Sequence, residues 1–129
     1  QAQNIEKYLF THPNMPEDLI PYWDFDAPGI PDEPRDVSAA TVIASALYEL
    51  SLYDPEKGER YRSNADKIIE NLTKHYRATL KKDNGFLLLH STGTKPTNTE
   101  VDVPIVYADY YFIEALMRKN KLEKTGKLF

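Results

Sequence analysis

The chain has 129 residues, 41% of them hydrophobic and 28% charged, and a net charge of −4, which is typical of one globular domain. Its acids and bases are mixed along the sequence, whereas nucleic-acid surfaces need clustered lysine and arginine. Cysteine is absent, which excludes disulfides, thiolate metal sites and cysteine nucleophiles. Because no apolar run reaches the ~20 residues of a membrane span, we expect neither a nucleic-acid nor a membrane partner.

The first predicted element is a short helix over Ala2–Phe10, where Ile5 and Leu9 stand at helical spacing. The sequence HPNMP at positions 12–16 ends it, because proline disfavours helical backbone in the residue before it. A proline-rich loop then runs to about Arg35.

The next element, Val37–Tyr53, is apolar or small on almost every face, with Glu49 as its only charged residue. A helix of this kind is usually buried on most sides. Asp36 suits the N-cap position, and Ser38 is an alternative cap.

A third helix is predicted directly afterwards, with Asp54 as its N-cap and Pro55 at its first position. Over Glu59–Leu80 the apolar residues form one stripe and charged residues occupy the other faces, which predicts an outer, half-solvated helix. The stripe consists of Tyr61, Ala65, Ile68, Ile69, Leu72 and Tyr76.

The C-terminal part begins with a short apolar run, Phe86–His90, that predicts a strand or extended segment. Ser91–Val103 is polar and predicts a loop. Pro104 fits the first turn of another helix, Ile105 to about Asn120, which is again apolar on most faces.

Outer and buried helices therefore alternate in an all-α fold. The loop at Asp54, between the buried Val37–Tyr53 helix and the next outer helix, is very short. Long loops, about Thr11–Arg35 and about Lys81–Val103, lead into the two buried helices. These loops are expected to converge at the positive N-terminal ends of the buried helices, where an anionic ligand is favoured. The alternation indicates an α/α barrel, but two helical hairpins cannot close one, so we expect residues 1–129 to be a single incomplete barrel domain. The first residue is Gln rather than Met, which is compatible with a piece of a longer protein.

Four segments stand out in the sequence: PYWDFDAP from Pro21, RDVSAA from Arg35, GFLLLH from Gly85 and EVDVPIVYADYYFIEALMR from Glu100. Together, in this order, they resemble the C-terminal third of the unsaturated glucuronyl hydrolases, glycoside hydrolase family 88. The resemblance runs from Ile5 to about Arg118.

The resemblance implies an (α/α)6 barrel from a bacterial source that degrades polysaccharides such as glycosaminoglycans, and we expect no cofactor. The three histidines lack metal-ligand spacing with acidic residues, so we expect no metal site. The implied substrate is an oligosaccharide with a 4,5-unsaturated uronic acid at its non-reducing end. A carboxylic acid protonates C4, water adds at C5, and the resulting hemiketal opens and releases the sugar. The family's main acid/base aspartates lie in earlier barrel helices, so the catalytic residues are unknown here and the isolated chain is expected to be inactive. Cytoplasmic and periplasmic locations both stay open.

Residues in the two long loops and at the helix starts are candidate substrate contacts. Each also has a structural interpretation, such as a rim plug for the tryptophan, a turn or a salt bridge for the loop residues, and a helix cap for the residues that begin helices. For Arg35, the salt-bridge partners considered are Asp32, Glu33 or a neighbouring loop. The candidates are Trp23, Asp24, Arg35, Asp36, Ser38, His90, Glu100 and Asp102.

Asp109 is unusual because it lies inside a nearly apolar helix, where a carboxylate must be paired or hydrogen-bonded. We expect a structural role, with Tyr107, Tyr110 or a group on a helix outside this chain as partner. The alternative function is a non-catalytic helical module that binds protein or carbohydrate. In either case, the apolar faces of Val37–Tyr53 and Ile105–Met117 would be partly exposed, which favours self-association.

Overall fold

The computed structural model describes residues 1–129 and is all-α, as predicted. Its helices are α1 (Ala2–Thr11), α2 (Val37–Leu50), α3 (Gly58–His75) and α4 (Val106–Thr125). Short 3-10 turns occur at Asp83–Gly85 and Lys95–Thr97. The segment Phe86–His90, for which a strand or an extended segment was predicted, is extended and has one isolated bridge, from Leu88 to Arg77. None of the helices has the length and apolarity that crossing a membrane requires.

Helix α2 lies at the centre and contacts both α3 and α4. It is antiparallel to α3, because Tyr48 donates to Asp66 at 2.7 Å while the later Ser51 accepts from the earlier Arg62 at 3.1 Å. It is parallel to α4: Ser45 contacts Glu114 and, one turn further along both helices, Glu49 contacts Arg118 at 2.8 Å.

The core lies between these three helices and the loops that precede α2 and α4. Ala40 and Ala44 on α2, with Ala108 and Ala115 on α4, are fully buried and permit close helix packing. Larger buried side chains fill the remaining space, each contributing roughly 1.5–3 kcal/mol of hydrophobic stabilisation. They include Ile20, Val37, Tyr48, Tyr61, Ile68, Leu72, Leu88 and Phe112.

The start of α3 differs from the prediction. Asp54 accepts hydrogen bonds of 3.1 Å from the backbone N–H groups of Glu56 and Lys57, so it stabilises a turn before the helix instead of capping it. The helix begins at Gly58, which packs directly on the Ser51 carbonyl; a Cβ added at Gly58 would lie 2.4 Å from that oxygen.

The other boundaries also shift. α2 ends at Leu50. α3 ends at His75, because the backbone of Tyr76 and Ala78 pairs with that of Leu89 and Leu87 at 2.9 Å and so leaves the helix. α4 continues beyond Asn120 to Thr125, where Gly126 ends it with a φ of 68°.

The long loops enter α2 and α4 at the same end of the molecule, as predicted. Val37, the first residue of α2, donates its N–H to the His90 carbonyl at 3.2 Å. Ser91 and Val103 exchange two backbone hydrogen bonds of 2.9 Å just before α4. The adjacent residues His90 and Ser91 therefore hydrogen-bond both to the first residue of α2 and to the loop that leads into α4.

Candidate functional site

A cleft of about 510 Å³ lies where α3 ends and the long loops approach α2 and α4. Carboxylates, a guanidinium, imidazoles and a phenol surround it, so its wall is polar and of mixed charge. The lining residues are Asp32, Glu33, Pro34, Arg35, His75, Tyr76, His90 and Asp102.

His90 and Asp102 form a side-chain pair in this cleft, with 2.7 Å between Nδ1 and Oδ1. An ionised carboxylate only accepts hydrogen bonds, so Nδ1 carries the proton and Nε2 is left to contact a ligand. Both side chains are about half exposed. Their φ values of 67° and 55° lie in the left-handed region that non-glycine residues seldom adopt. The backbone pairing of Ser91 with Val103, the residues that directly follow His90 and Asp102, holds this conformation.

Arg35 is fixed from several directions. Its Nη1 donates to Asp18 Oδ1 at 3.1 Å and to the Ile20 carbonyl, and the guanidinium lies 4.5 Å from the centre of the Tyr22 ring. The salt-bridge partner is none of those expected from sequence, since Asp18 lies in the same Thr11–Arg35 loop as Arg35 and replaces Asp32, Glu33 or a neighbouring loop. The salt bridge is part of the loop's structure and holds the guanidinium at the cleft wall.

Tyr76 occupies the adjacent part of the wall, and its hydroxyl donates to Asp18 Oδ2 at 3.0 Å. Burial, followed by the charge of Asp18, raises the pKa of Tyr76 to about 12, against an opposing effect of Arg35. The phenol therefore stays protonated at neutral pH. Its ring meets the His90 imidazole edge-on, with 6.1 Å between the ring centres, so His90 is held by Tyr76 as well as by Asp102.

Trp23 and Asp24 do not line the cleft. The Trp23 indole donates to Glu33 Oε2 at 2.8 Å, while Glu33 Oε1 accepts from the Gly29 N–H at 3.2 Å. Asp24 is exposed and accepts from the Asp26 N–H at 2.9 Å, which is a local turn contact. Trp23 thus reaches the cleft only through Glu33.

Asp36 and Ser38 lie at the helix start, where capping was predicted. Asp36 Oδ1 accepts from the Ser38 N–H at 3.0 Å, from the Ser38 hydroxyl at 2.6 Å and from the Thr92 N–H at 3.4 Å. The cap thereby also holds the loop before α4. Glu100 is exposed and outside the cleft lining; its side chain lies against Gly93, where an added Cβ would be 2.6 Å from Oε2.

Comparison with known proteins identifies relatives of the chain. No family model matches the chain. An unsaturated glucuronyl hydrolase of Formosa agariphila is 48% identical over 125 residues, which are 95% of this chain and 30% of that protein. The crystal structure of an unsaturated glucuronyl hydrolase specific for heparin superposes with a TM-score of 0.91 at 43% identity, covering 95% of this chain and 33% of the other. The chain is a homologue of the unsaturated glucuronyl hydrolases.

A more distant unsaturated glucuronyl hydrolase, a mutant from Streptococcus agalactiae complexed with dGlcA-GalNAc6S, is 27% identical with a TM-score of 0.78. The match covers 92% of this chain and 33% of the Streptococcus agalactiae chain. The resemblance inferred from the four sequence segments is confirmed, and the similar solved structures are α/α barrels. The chain spans about 30% of the length of these relatives.

Asp109 has a structural role in this unsaturated glucuronyl hydrolase homologue, but not with the partners predicted for it. Neither Tyr107 nor Tyr110 donates a hydrogen bond to its carboxylate. Its two oxygens accept from the backbone N–H groups of Leu87 and Leu88, at 2.9 and 3.0 Å. α4 therefore anchors the extended segment that carries His90. Asp18, which orients Arg35 and Tyr76, was not found from sequence, because no local motif marks it.

Proposed function

We propose that this chain is the C-terminal part of a glycoside hydrolase that hydrates the 4,5-unsaturated uronic acid at the non-reducing end of lyase-derived oligosaccharides. In this proposal residues 1–129 are one incomplete barrel domain that supplies barrel wall and substrate-contact loops. The observation that carries it is the polar cleft at the starts of α2 and α4, in a chain 48% identical to an unsaturated glucuronyl hydrolase.

Three of the candidate residues, Arg35, His90 and Asp102, line the cleft, and we assign substrate contact to them. His90 Nε2 and the Tyr76 hydroxyl oxygen suit the hydroxyl groups of a sugar, because each has its proton directed to a neighbouring carboxylate and is left as a hydrogen-bond acceptor. Arg35 adds a fixed positive charge for the uronate. The loops that carry these groups are supported by Trp23, Asp36 and Ser38. Asp24 and Glu100 are exposed and do not line the cleft.

The acid that protonates C4 is assigned to the part of the protein that this chain does not include. A general acid must hold a proton and reach the reacting carbon. In the cleft, Asp102 already accepts from His90, and Glu33 from Trp23 and Gly29. Both carboxylates already serve as hydrogen-bond acceptors within the fold, which suits a supporting role better than the transfer of a proton to C4.

Hydration destroys the C4=C5 double bond, so the loss of its near-ultraviolet absorbance tests the proposal. The 129-residue chain and the longest reading frame that contains it are each incubated with unsaturated disaccharides derived from heparin and from chondroitin. We expect turnover by the longer protein and none by the chain. Turnover by the chain alone would show that the acid is present in it.

The alternative, a non-catalytic binding module, makes the opposite prediction for the longer protein. Saturable binding of the disaccharides in calorimetry, with no loss of absorbance from either substrate, would favour that alternative and reject the hydrolase proposal. Absence of both binding and turnover would reject the two together.

A further inference from the structure

Thr92 lies behind the cleft wall, where the loop before α2 meets the loop before α4. It is outside the cleft lining and only 6% exposed. Its hydroxyl donates to the Arg35 carbonyl at 3.0 Å and accepts from the Asp102 N–H at 3.3 Å. One buried hydroxyl therefore joins the backbones of two residues that line the cleft.

The backbone of Thr92 is attached to the start of α2 as well. Its N–H donates to Asp36 Oδ1 at 3.4 Å, and the same oxygen caps α2 by accepting from the Ser38 N–H. The hydroxyl acts as donor and acceptor at once, and hydrogen bonds linked in this way strengthen one another. Thr92 is thus a buried link between two loops and makes no contact with a ligand in the cleft.

The separation of the two loops matters for the proposed ligand. Arg35 is carried by one loop and the His90–Asp102 pair by the other, so the local chain does not fix the distance between them. A sugar ring is stiff and presents its carboxylate and its hydroxyl groups at fixed spacing. Groups that bind both features of one ring must therefore be held at a matching distance.

We propose that Thr92 is a positioning residue of this site, whose hydroxyl holds the loop of Arg35 at a fixed distance from the His90–Asp102 pair. The inference rests on the proposed function for the identity of the ligand. Ser91 and Val103 stay paired by two backbone hydrogen bonds of 2.9 Å without this hydroxyl. Its loss should therefore disturb the alignment of the cleft wall more than the fold.

Steady-state kinetics of the complete protein, with unsaturated disaccharides derived from heparin and from chondroitin, tests this role. Thr92→Val nearly keeps the shape of threonine but leaves the Arg35 carbonyl and the Asp102 N–H without their partner. We expect KM to rise about tenfold, roughly the loss of one hydrogen bond to a charged group, while kcat changes less. Thr92→Ser keeps the hydroxyl, so its KM should stay close to that of the unchanged protein.

Thr41→Val is the matched control. Thr41 is also buried, but its hydroxyl donates to the Ser38 carbonyl at 2.7 Å within α2 and outside the cleft lining, so both kinetic parameters should stay unchanged. Thr92→Val combined with Asp102→Asn should lower kcat/KM by less than the product of the two single effects, because both act on one pair. Fully multiplicative effects would overturn the inference.

Denaturant unfolding followed by circular dichroism verifies that each variant is folded in the assay. If Thr92→Val is not, Thr92→Cys replaces it, and KM should rise by an intermediate amount because a thiol is a weak donor and acceptor. An unchanged KM in the folded variant, or a rise of the same size in Thr92→Ser, would overturn the positioning role.

Calorimetric binding of the same disaccharides distinguishes this failure from failure of the proposed function. A complete protein that binds them without hydrating them would reject the hydrolase proposal, whereas weaker binding by Thr92→Val, restored in Thr92→Ser, would still support positioning. Equal binding by the unchanged protein and Thr92→Val would overturn it. Absence of both binding and turnover in the unchanged protein would overturn the two proposals together.

Discussion

Asp18 accepts a hydrogen bond of 3.0 Å from the Tyr76 hydroxyl, across 58 positions of sequence. The other oxygen of the same carboxylate contacts Arg35 at 3.1 Å. Asn71 of α3 donates to the Asp18 carbonyl at 2.8 Å, which fixes the backbone as well. One residue of the N-terminal loop therefore positions a phenol and a guanidinium on the cleft wall.

Tyr76→Phe should remove the hydroxyl contact with Asp18 and cost about 1 kcal/mol at neutral pH, the usual net value of such a hydrogen bond. The pKa of Tyr76 is raised to about 12 in the folded protein, whereas an unfolded tyrosine titrates near 10. Its contribution is thus complete below about pH 10 and is lost as the pH rises through 12. Denaturant unfolding between pH 8 and 12 should show a shallower alkaline loss in the variant. Tyr53→Phe, at an exposed position, is the control and should follow the unchanged chain.

Asp18→Asn keeps the shape of the side chain but removes the charge that holds Arg35. In the complete protein we expect KM for an unsaturated disaccharide to rise about tenfold or more, because a charge-assisted hydrogen bond contributes roughly 1.5–3 kcal/mol, while kcat changes little. Steady-state kinetics separates the two parameters. Asp26→Asn, in an exposed turn, should leave both unchanged; an equal loss of kcat in Asp18→Asn would contradict a positioning role.

Local features of the structure could be predicted from the sequence. The Asp36 cap, the buried α2 and the convergence of the long loops all follow from spacing and capping rules. The start of α3 was misplaced because Asp54 and Pro55 resemble a helix start, whereas the close contact of Gly58 with Ser51 has no sequence signal. Contacts between distant segments were equally hidden: the partners of Asp18 are 17 and 58 positions away.

Asp109→Ala should destabilise the chain by about 1–3 kcal/mol, because it leaves the N–H groups of Leu87 and Leu88 without their acceptor. Asp109→Asn retains one acceptor oxygen and should lose less. Chemical denaturation followed by circular dichroism measures both. Two variants as stable as the unchanged chain would show that α4 does not anchor the segment preceding His90.

Gly58→Ala tests a conflict between helix propensity and packing. Alanine inside a helix is favoured over glycine by up to about 1 kcal/mol, but here its Cβ would lie 2.4 Å from the Ser51 carbonyl oxygen. Forced displacement in a packed region costs typically 1–3 kcal/mol, so we expect net destabilisation. Thermal unfolding measures the change in stability. In the same experiment Ser63→Ala, at an exposed position of α3, is the control and should be neutral or slightly stabilising. A gain in stability at Gly58 would mean that the turn before α3 yields easily.

Asp102→Asn probes the His90 pair with little effect on folding, because asparagine tolerates the left-handed backbone at φ 55°. The amide lacks the negative charge that fixes the Nδ1 proton, so His90 would present its Nε2 to substrate in a mixture of tautomers. In the complete protein we expect about a tenfold lower kcat/KM for unsaturated disaccharides, with unfolding free energy unchanged within about 0.5 kcal/mol, as is usual for surface substitutions. Glu100→Asn is the matched comparison, since Glu100 has a similar φ of 49° but lies outside the cleft lining. Equal effects of the two substitutions on kcat/KM would indicate that the loop before α4, and not the His90–Asp102 pair, governs the activity.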